Sequence, residues 1–204
     1  PIALEASVAY LCGMDAALFF PTGVMANVTA VINHTPKNHG VIVGKKSHIF
    51  AHESGGVSIL GGVPIQTIDD DAGLLDSTAL KESISSGRFY AAKTGLICIE
   101  SPHNDCGGIA HEPHELAAIK AIADSHNLPL HLDGARLFNA CAKFDVQAQD
   151  YCQHVDSVML CMKKGLGAPA GALLAGSADF IDSAKPIRKM LGGGLSQPLP
   201  LIHI

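Results

Sequence analysis

Short apolar runs alternate along the chain with longer segments whose apolar residues recur every three or four positions. Segments 16–20, 40–44, 63–68, 94–99, 128–132, 155–162 and 170–175 are strand-sized and end at turn residues, Asp or Lys. Such continuous runs suit strands covered on both faces. Helical spacing occupies 4–11, 22–32, 77–85, 115–126, 135–144 and 178–190, with a shorter helix at 48–55 ending in Gly55-Gly56. Thr22 precedes its helix as a capping residue. Leu116, Ile119, Ile122 and Ala123 form one helix face. This alternation predicts an α/β fold with a mostly parallel sheet. Ligands of such sheets bind beyond the carboxyl ends of the strands, so the residues just after each strand carry the chemistry.

Composition narrows the function classes. Hydrophobic residues make up 48% and charged residues 16% of 204, which excludes a disordered chain. Mean hydropathy is +0.26, yet no apolar run reaches the roughly 20 residues of a membrane span. Net charge is −5 and no basic stripe is present, so neither nucleic acid nor membrane is expected as a partner. The six cysteines form no CxxC pair and sit mostly in apolar segments, which suits a reducing, cytoplasmic setting. Position 1 is Pro, and 195–204 is apolar, proline-broken and aperiodic. Residues 1–194 are therefore read as one domain, and 195–204 as a divergent tail from a truncated or mis-spliced gene model.

Four strand ends carry polar chemistry. Phe20 is followed by Pro21-Thr22-Gly23-Val24, Ile99 by Glu100-Ser101-Pro102-His103, Leu132 by Asp133-Gly134-Ala135-Arg136, and Met162 by Lys163-Lys164-Gly165. A Thr-Gly turn opening a helix is suited to a phosphate, because free N–H groups and the helix dipole point at it. An Asp buried at a strand end stays ionised when a cation partners it, and a pyridinium N–H is such a cation. A Lys in a Gly-rich loop is a Schiff-base nucleophile when its surroundings lower its proton affinity. A phosphate cradle, an Asp and a Lys in that order describe a pyridoxal phosphate site.

The segment His131-Leu132-Asp133-Gly134-Ala135-Arg136 resembles the signature of low-specificity L-threonine aldolases, within the beta-eliminating lyase/threonine aldolase group. So do Lys164-Gly165-Leu166-Gly167-Ala168-Pro169 and Arg188-Lys189-Met190-Leu191-Gly192-Gly193-Gly194. Phe20-Pro21-Thr22-Gly23 with Ala26-Asn27, and Ser47-His48 with Glu53-Ser54-Gly55-Gly56, agree in order and spacing. The resemblance implies an aspartate-aminotransferase-like type I fold, with this chain as the large domain and the C-terminal small domain and N-terminal segment missing. It implies pyridoxal 5'-phosphate as cofactor. It also implies cleavage of L-threonine or L-allo-threonine to glycine and acetaldehyde, in a full-length homo-oligomer.

By the same resemblance, Lys164 would carry the cofactor, Asp133 would meet its ring nitrogen, and Arg136 would help hold the ring end or the substrate carboxylate. Thr22, Gly23 and Val24 would hold the phosphate, and His48 would stack on the ring. His48, Glu53 and His103 are the candidates for the base that takes the substrate hydroxyl proton. Lys163 stands where the family has Ser, and Val24 where it has Thr. Those departures, with the lost ends, keep open a second reading: an impaired or inactive fragment that at most binds the cofactor or pairs with full-length subunits. Another type I pyridoxal phosphate enzyme is the third. His103, Cys106, His111 and His114 match no common zinc spacing, and no metal is expected.

Overall fold

The computed structural model describes residues 2–87 and 89–194. The expected tail, 195–204, lies outside the described residues. Among those described, one sheet contains β1 (Ala16–Phe20), β2 (His39–Gly44), β3 (Ile65–Ile68), β4 (Lys93–Glu100), β5 (Leu130–Asp133), β6 (Ser157–Cys161) and β7 (Ala172–Gly176). Their order is β1-β7-β6-β5-β4-β2-β3. Strands β3, β2, β4, β5 and β6 are mutually parallel, whereas β7 runs antiparallel to both β6 and β1. Reversing twice returns β1 to the direction of β6. The carboxyl ends of β1, β4, β5 and β6 therefore open on one edge of the sheet.

The helices are α1 (Ile2–Cys12), α2 (Gly23–His34), α3 (His48–Ala51), α4 (Gly56–Gly61), α5 (Ser77–Ser83), α6 (Pro113–Ser125), α7 (Leu137–Phe144), α8 (Ala148–Cys152) and α9 (Ala178–Met190). They cover both faces of the sheet. On β4, Ile97 and Ile99 join the core under Leu80, Leu116 and Tyr151, while Leu96 and Cys98 join the opposite core with Val28, Val31 and Val57. On β6, Val158 and Leu160 face one core, and Met159 and Cys161 the other. Successive strand residues point to opposite faces, so an unbroken apolar run is what a doubly covered strand needs. No helix among the described residues is long and apolar enough to cross a membrane.

The predicted elements are present, with differences at their ends. Helix α6 starts at Pro113 rather than 115, because Glu112 and Glu115 close a capping box around its first turn. Segment 48–55 holds only the one-turn α3. A second short helix, α4, follows the left-handed Gly55 and ends at the left-handed Gly62. Helix α8 had no apolar period to announce it. Its buried Ala148, Tyr151 and Cys152 fit one turn closed by a Gln147–Asp150 capping box.

A polar thread crosses the core between α2, β5 and β6. His131 Nδ1 and His34 Nε2 each lie 2.8 Å from Ser157 Oγ, and the His34 ring stacks on Phe180 at 4.2 Å. Burial lowers His131 from 6.5 to about 3 and His34 from 6.5 to about 4; Asp156 opposes the His34 shift and Lys120 adds to it. The unfolded chain thus binds protons that the folded chain refuses. This contribution to stability is complete above about pH 6.5 and falls toward pH 4, by roughly 1.4 kcal/mol per pH unit for each neutral ring. Urea unfolding at pH 7 and pH 5 checks it. His34→Gln should lose less stability between those two values than the parent does, and equal losses would count against the assignment.

Candidate active site

The turn after β1 brings the amino end of α2 to the open edge of the sheet. Thr22 caps this helix, its Oγ1 accepting from the Met25 N–H at 3.2 Å. The remaining first-turn N–H groups have no partner within the helix. Thr22, Gly23 and Val24 line a cleft of about 370 Å³ together with His48, Glu53, Lys163 and Lys164. That volume is in the range of small-molecule and cofactor sites. The two lysines differ: Lys163 is exposed, whereas Lys164 is half-buried and close enough for its charge to oppose protonation of His48.

Two glycines let the neighbouring loops close up. A Cβ on Gly134 would lie 3.0 Å from a Val158 methyl and 3.1 Å from the Met159 carbonyl, so only Gly lets this turn lie against β6. A Cβ on Gly165 would collide with Asn139 Oδ1. Gly134 thus lets the turn after β5 lie against strand β6, and Gly165 brings the lysine loop against Asn139 of helix α7.

Asp133 ends β5 and is 2% exposed. Its Oδ2 accepts from Asn27 Nδ2 at 2.9 Å, and its Oδ1 from the Ala135 N–H at 3.1 Å. The same Asn27 amide donates to Glu53 Oε1 at 2.8 Å. That oxygen also meets His48 Nδ1 at 2.9 Å. Ligand atoms of His48, Glu53 and Asp133 lie within 4.8 Å of one another, a spacing a metal ion could bridge. The Asn27 N–H groups, however, already bond Glu53 Oε1 and Asp133 Oδ2, and a metal entering there would displace those hydrogen bonds. A ring N–H⁺ can instead add a hydrogen bond to a carboxylate that keeps them.

Burial raises the proton affinity of Glu53, with Asp133 adding to the effect and the His48 and Asn27 hydrogen bonds opposing it. Its Oε2 is buried with no hydrogen-bond partner. The bond to Glu53 is the main cause of a raised value for His48. Because Nδ1 is tied to Glu53, Nε2 is the ring nitrogen left for a ligand in the cleft.

Glu100, at the end of β4, ties the next loops together. Its Oε2 accepts from the His48 N–H at 2.7 Å and its Oε1 from the Asn104 N–H at 2.9 Å. Burial raises its proton affinity, and the Asp133 charge adds to this. Arg136 Nη2 donates to Asn104 Oδ1 at 2.7 Å, while Arg136 Nη1 is buried without a partner.

The structure thus brings Thr22, Gly23, Val24, His48, Glu53 and Lys164 to one cleft, with Asp133 close by beside His48 and Glu53. His103 does not line that cleft. It is 1% exposed, its Nε2 is 2.9 Å from Asp70 Oδ2, and Glu100 Oε2 lies 4.0 Å away. Gly44 makes room for this Asp70, since a Cβ there would collide with the carboxylate. Cys106 bonds the Asp70 carbonyl, His111 takes Glu115 and the Ala72 carbonyl, and His114 is exposed beside Glu112, so these residues do not converge. Sequence reading assigned no role to Asn27, Glu100, Asp70 or His131. Asn27 stood inside a quoted motif and Glu100 at a strand end, the only signals either carried.

Comparison with known proteins places the chain in one family. The beta-eliminating lyase family model matches residues 2–199. The chain is 39% identical over 198 residues to low-specificity L-threonine aldolase 1 of Arabidopsis thaliana, covering 95% of this chain and 55% of that protein. It is 38% identical over 198 residues to low specificity L-threonine aldolase of Escherichia coli K12, covering 96% and 58%. A solved putative L-allo-threonine aldolase from Listeria monocytogenes superposes with a TM-score of 0.85 at 30% identity, over 95% of this chain and 52% of that one. The chain spans about half the length of the relatives it matches.

If Glu53 sets the His48 ring, Glu53→Gln should lower the His48 titration midpoint, because the principal cause of its rise is removed. Histidine NMR titration of parent and variant measures this directly. A midpoint unchanged in Glu53→Gln would contradict the coupling.

Proposed function

The chain belongs to the beta-eliminating lyase family, and from that premise we propose that residues 1–194 form the pyridoxal-phosphate-binding domain of a threonine aldolase. The reaction proposed is cleavage of L-threonine or L-allo-threonine to glycine and acetaldehyde. The observation that carries this reading is the placement of Lys164, the α2 amino end and the His48–Glu53 pair on one cleft, beside the buried Asp133 carboxylate. Size and donor chemistry both fit the cofactor. Gly23 and Val24 would hold its phosphate, Asp133 its ring nitrogen and Lys164 Nζ its carbonyl carbon. The buried, unpartnered Arg136 Nη1 is a ready donor for the ring end or a substrate carboxylate. When bound, the cofactor supplies an electron-withdrawing ring that stabilises negative charge on the substrate α-carbon.

The protein's own contribution is orientation and proton transfer. His48 Nε2 takes the β-hydroxyl proton, and Glu53 holds the ring through Nδ1 and favours its charged form. Burial also makes protonation of the Glu53 carboxyl easier, so the Nδ1 proton can pass to Glu53 Oε1 when Nε2 takes the substrate proton. His103 acts through Asp70 and Glu100 on the loop behind His48 rather than on substrate. A cytoplasmic setting is part of the proposal, supported by free cysteines that are nearly all buried. A homo-oligomer is also proposed, supported by exposed Ile59 and Leu60, which border an apolar groove of about 400 Å³.

Added pyridoxal phosphate should give the protein a visible absorption band that Lys164→Ala loses and Lys163→Ala keeps. Loss in Lys163→Ala instead would reassign the lysine. Acetaldehyde release from threonine should fall about 10²–10⁴-fold in His48→Asn. A band without acetaldehyde release from the parent would favour the second reading, a fragment that binds cofactor without turning over threonine.

A further inference from the structure

Behind Asp133 the polar thread of the core continues into the cleft. Asn27 Oδ1 lies 3.2 Å from His131 Nε2, and His131 Nδ1 leads on through Ser157 Oγ to His34 Nε2. Asn27, His131 and Ser157 have no exposure, and Asp133 and Glu53 have 2% and 3%. These groups are buried away from bulk solvent, so their donors and acceptors must match among themselves.

The direction of the thread can be worked out from the carboxylate end. An ionised carboxylate only accepts hydrogen bonds. The Asn27 NH₂ must therefore face Asp133 and Glu53, and both its protons are used. Its Oδ1 is left facing His131 and needs a donor. A neutral imidazole has one N–H, so His131 carries its proton on Nε2 and accepts at Nδ1. Ser157 donates its hydroxyl proton to that Nδ1, and His34 then donates Nε2–H to Ser157 Oγ. The opposite His131 tautomer would set two acceptors against each other at 3.2 Å. Every donor along the thread points toward the two carboxylates.

We infer that Asn27 is a positioning residue, locked by the Nε2–H tautomer of His131 into the one orientation that donates to Asp133 and Glu53 together. One amide then sets both the group assigned to the cofactor ring nitrogen and the group that orients His48. Charge-assisted bonds of this kind are stronger than neutral ones, and the aligned donors behind Asn27 reinforce them. The charged and titratable groups facing this set are His48, Lys164, Glu100 and Cys98 at the cleft end, and Asp156 and Lys120 at the His34 end. The role toward the ring nitrogen rests on the function proposed above; the direction of the thread does not.

Nitrogen-15 NMR of the full chain without added cofactor decides the direction, and it needs no variant. His131 should be the neutral Nε2–H tautomer from pH 5 to pH 8. A Nδ1–H tautomer or an imidazolium at pH 7 would overturn the inference. Carbon-13 carboxyl titration tests the positioning role. Asn27→Leu should raise the Glu53 midpoint, because the amide hydrogen bond that favours its ionised form is removed, loosen the His131 tautomer preference and weaken pyridoxal phosphate binding about tenfold or more. Asn27→Asp keeps the shape of the side chain if the leucine variant does not fold, and should raise the same midpoint. Folded variants with an unmoved Glu53 midpoint would refute the role. If the parent itself fails to bind pyridoxal phosphate, the cofactor reading falls while the carboxyl titration still judges Asn27.

Discussion

The buried carboxylate of Asp133 is the constraint around which the site is arranged. A carboxylate at 2% exposure is costly unless its lone pairs are answered. Two answers come from the protein: the Ala135 N–H, made within the turn itself, and the Asn27 amide, which requires α2 to approach the end of β5 closely. That approach depends on Gly134, which lets the turn lie against β6, and on the apolar packing that seats α2 on the sheet. A wrong register between β5 and its neighbours would strand the charge in an apolar interior.

The sheet topology turns this local requirement into a site. Because β1, β4, β5 and β6 all run the same way, the cap of α2, Glu100, Asp133 and the Lys163-Lys164 loop emerge on one edge. The antiparallel β7 lies between β1 and β6 and carries the chain back from the lysine loop without a helical crossover. Glu100 then joins the loops after β2 and β4 by accepting from the His48 and Asn104 backbone N–H groups. Side chains far apart in sequence are held by backbone contacts rather than by one another alone.

Much of the fold was legible from periodicity. Every strand of the sheet was expected, because a strand buried on both faces must be apolar throughout. Helices α4 and α8 were not, since a single turn has too few positions to show a period. The antiparallel setting of β7 was also hidden, because an apolar run carries no direction. Within the site, Asp133 and Lys164 stood out as polar residues directly after apolar strands. His103 stood out for the same reason, and it pairs with the buried Asp70, which Gly44 admits.

The sequence by itself determined which residues end the strands, where helices are capped, and which motifs agree with a family that uses a lysine and an aspartate. It did so because burial and capping leave local, periodic traces in residue type. Only the tertiary structure decided that His48 and Asn27 share one Glu53 oxygen, that Lys164 rather than Lys163 is sheltered, and that His131 stands behind Asp133. Those relations join residues on different elements, and hydrogen bonds between distant parts of a chain impose no spacing on the sequence that encodes them.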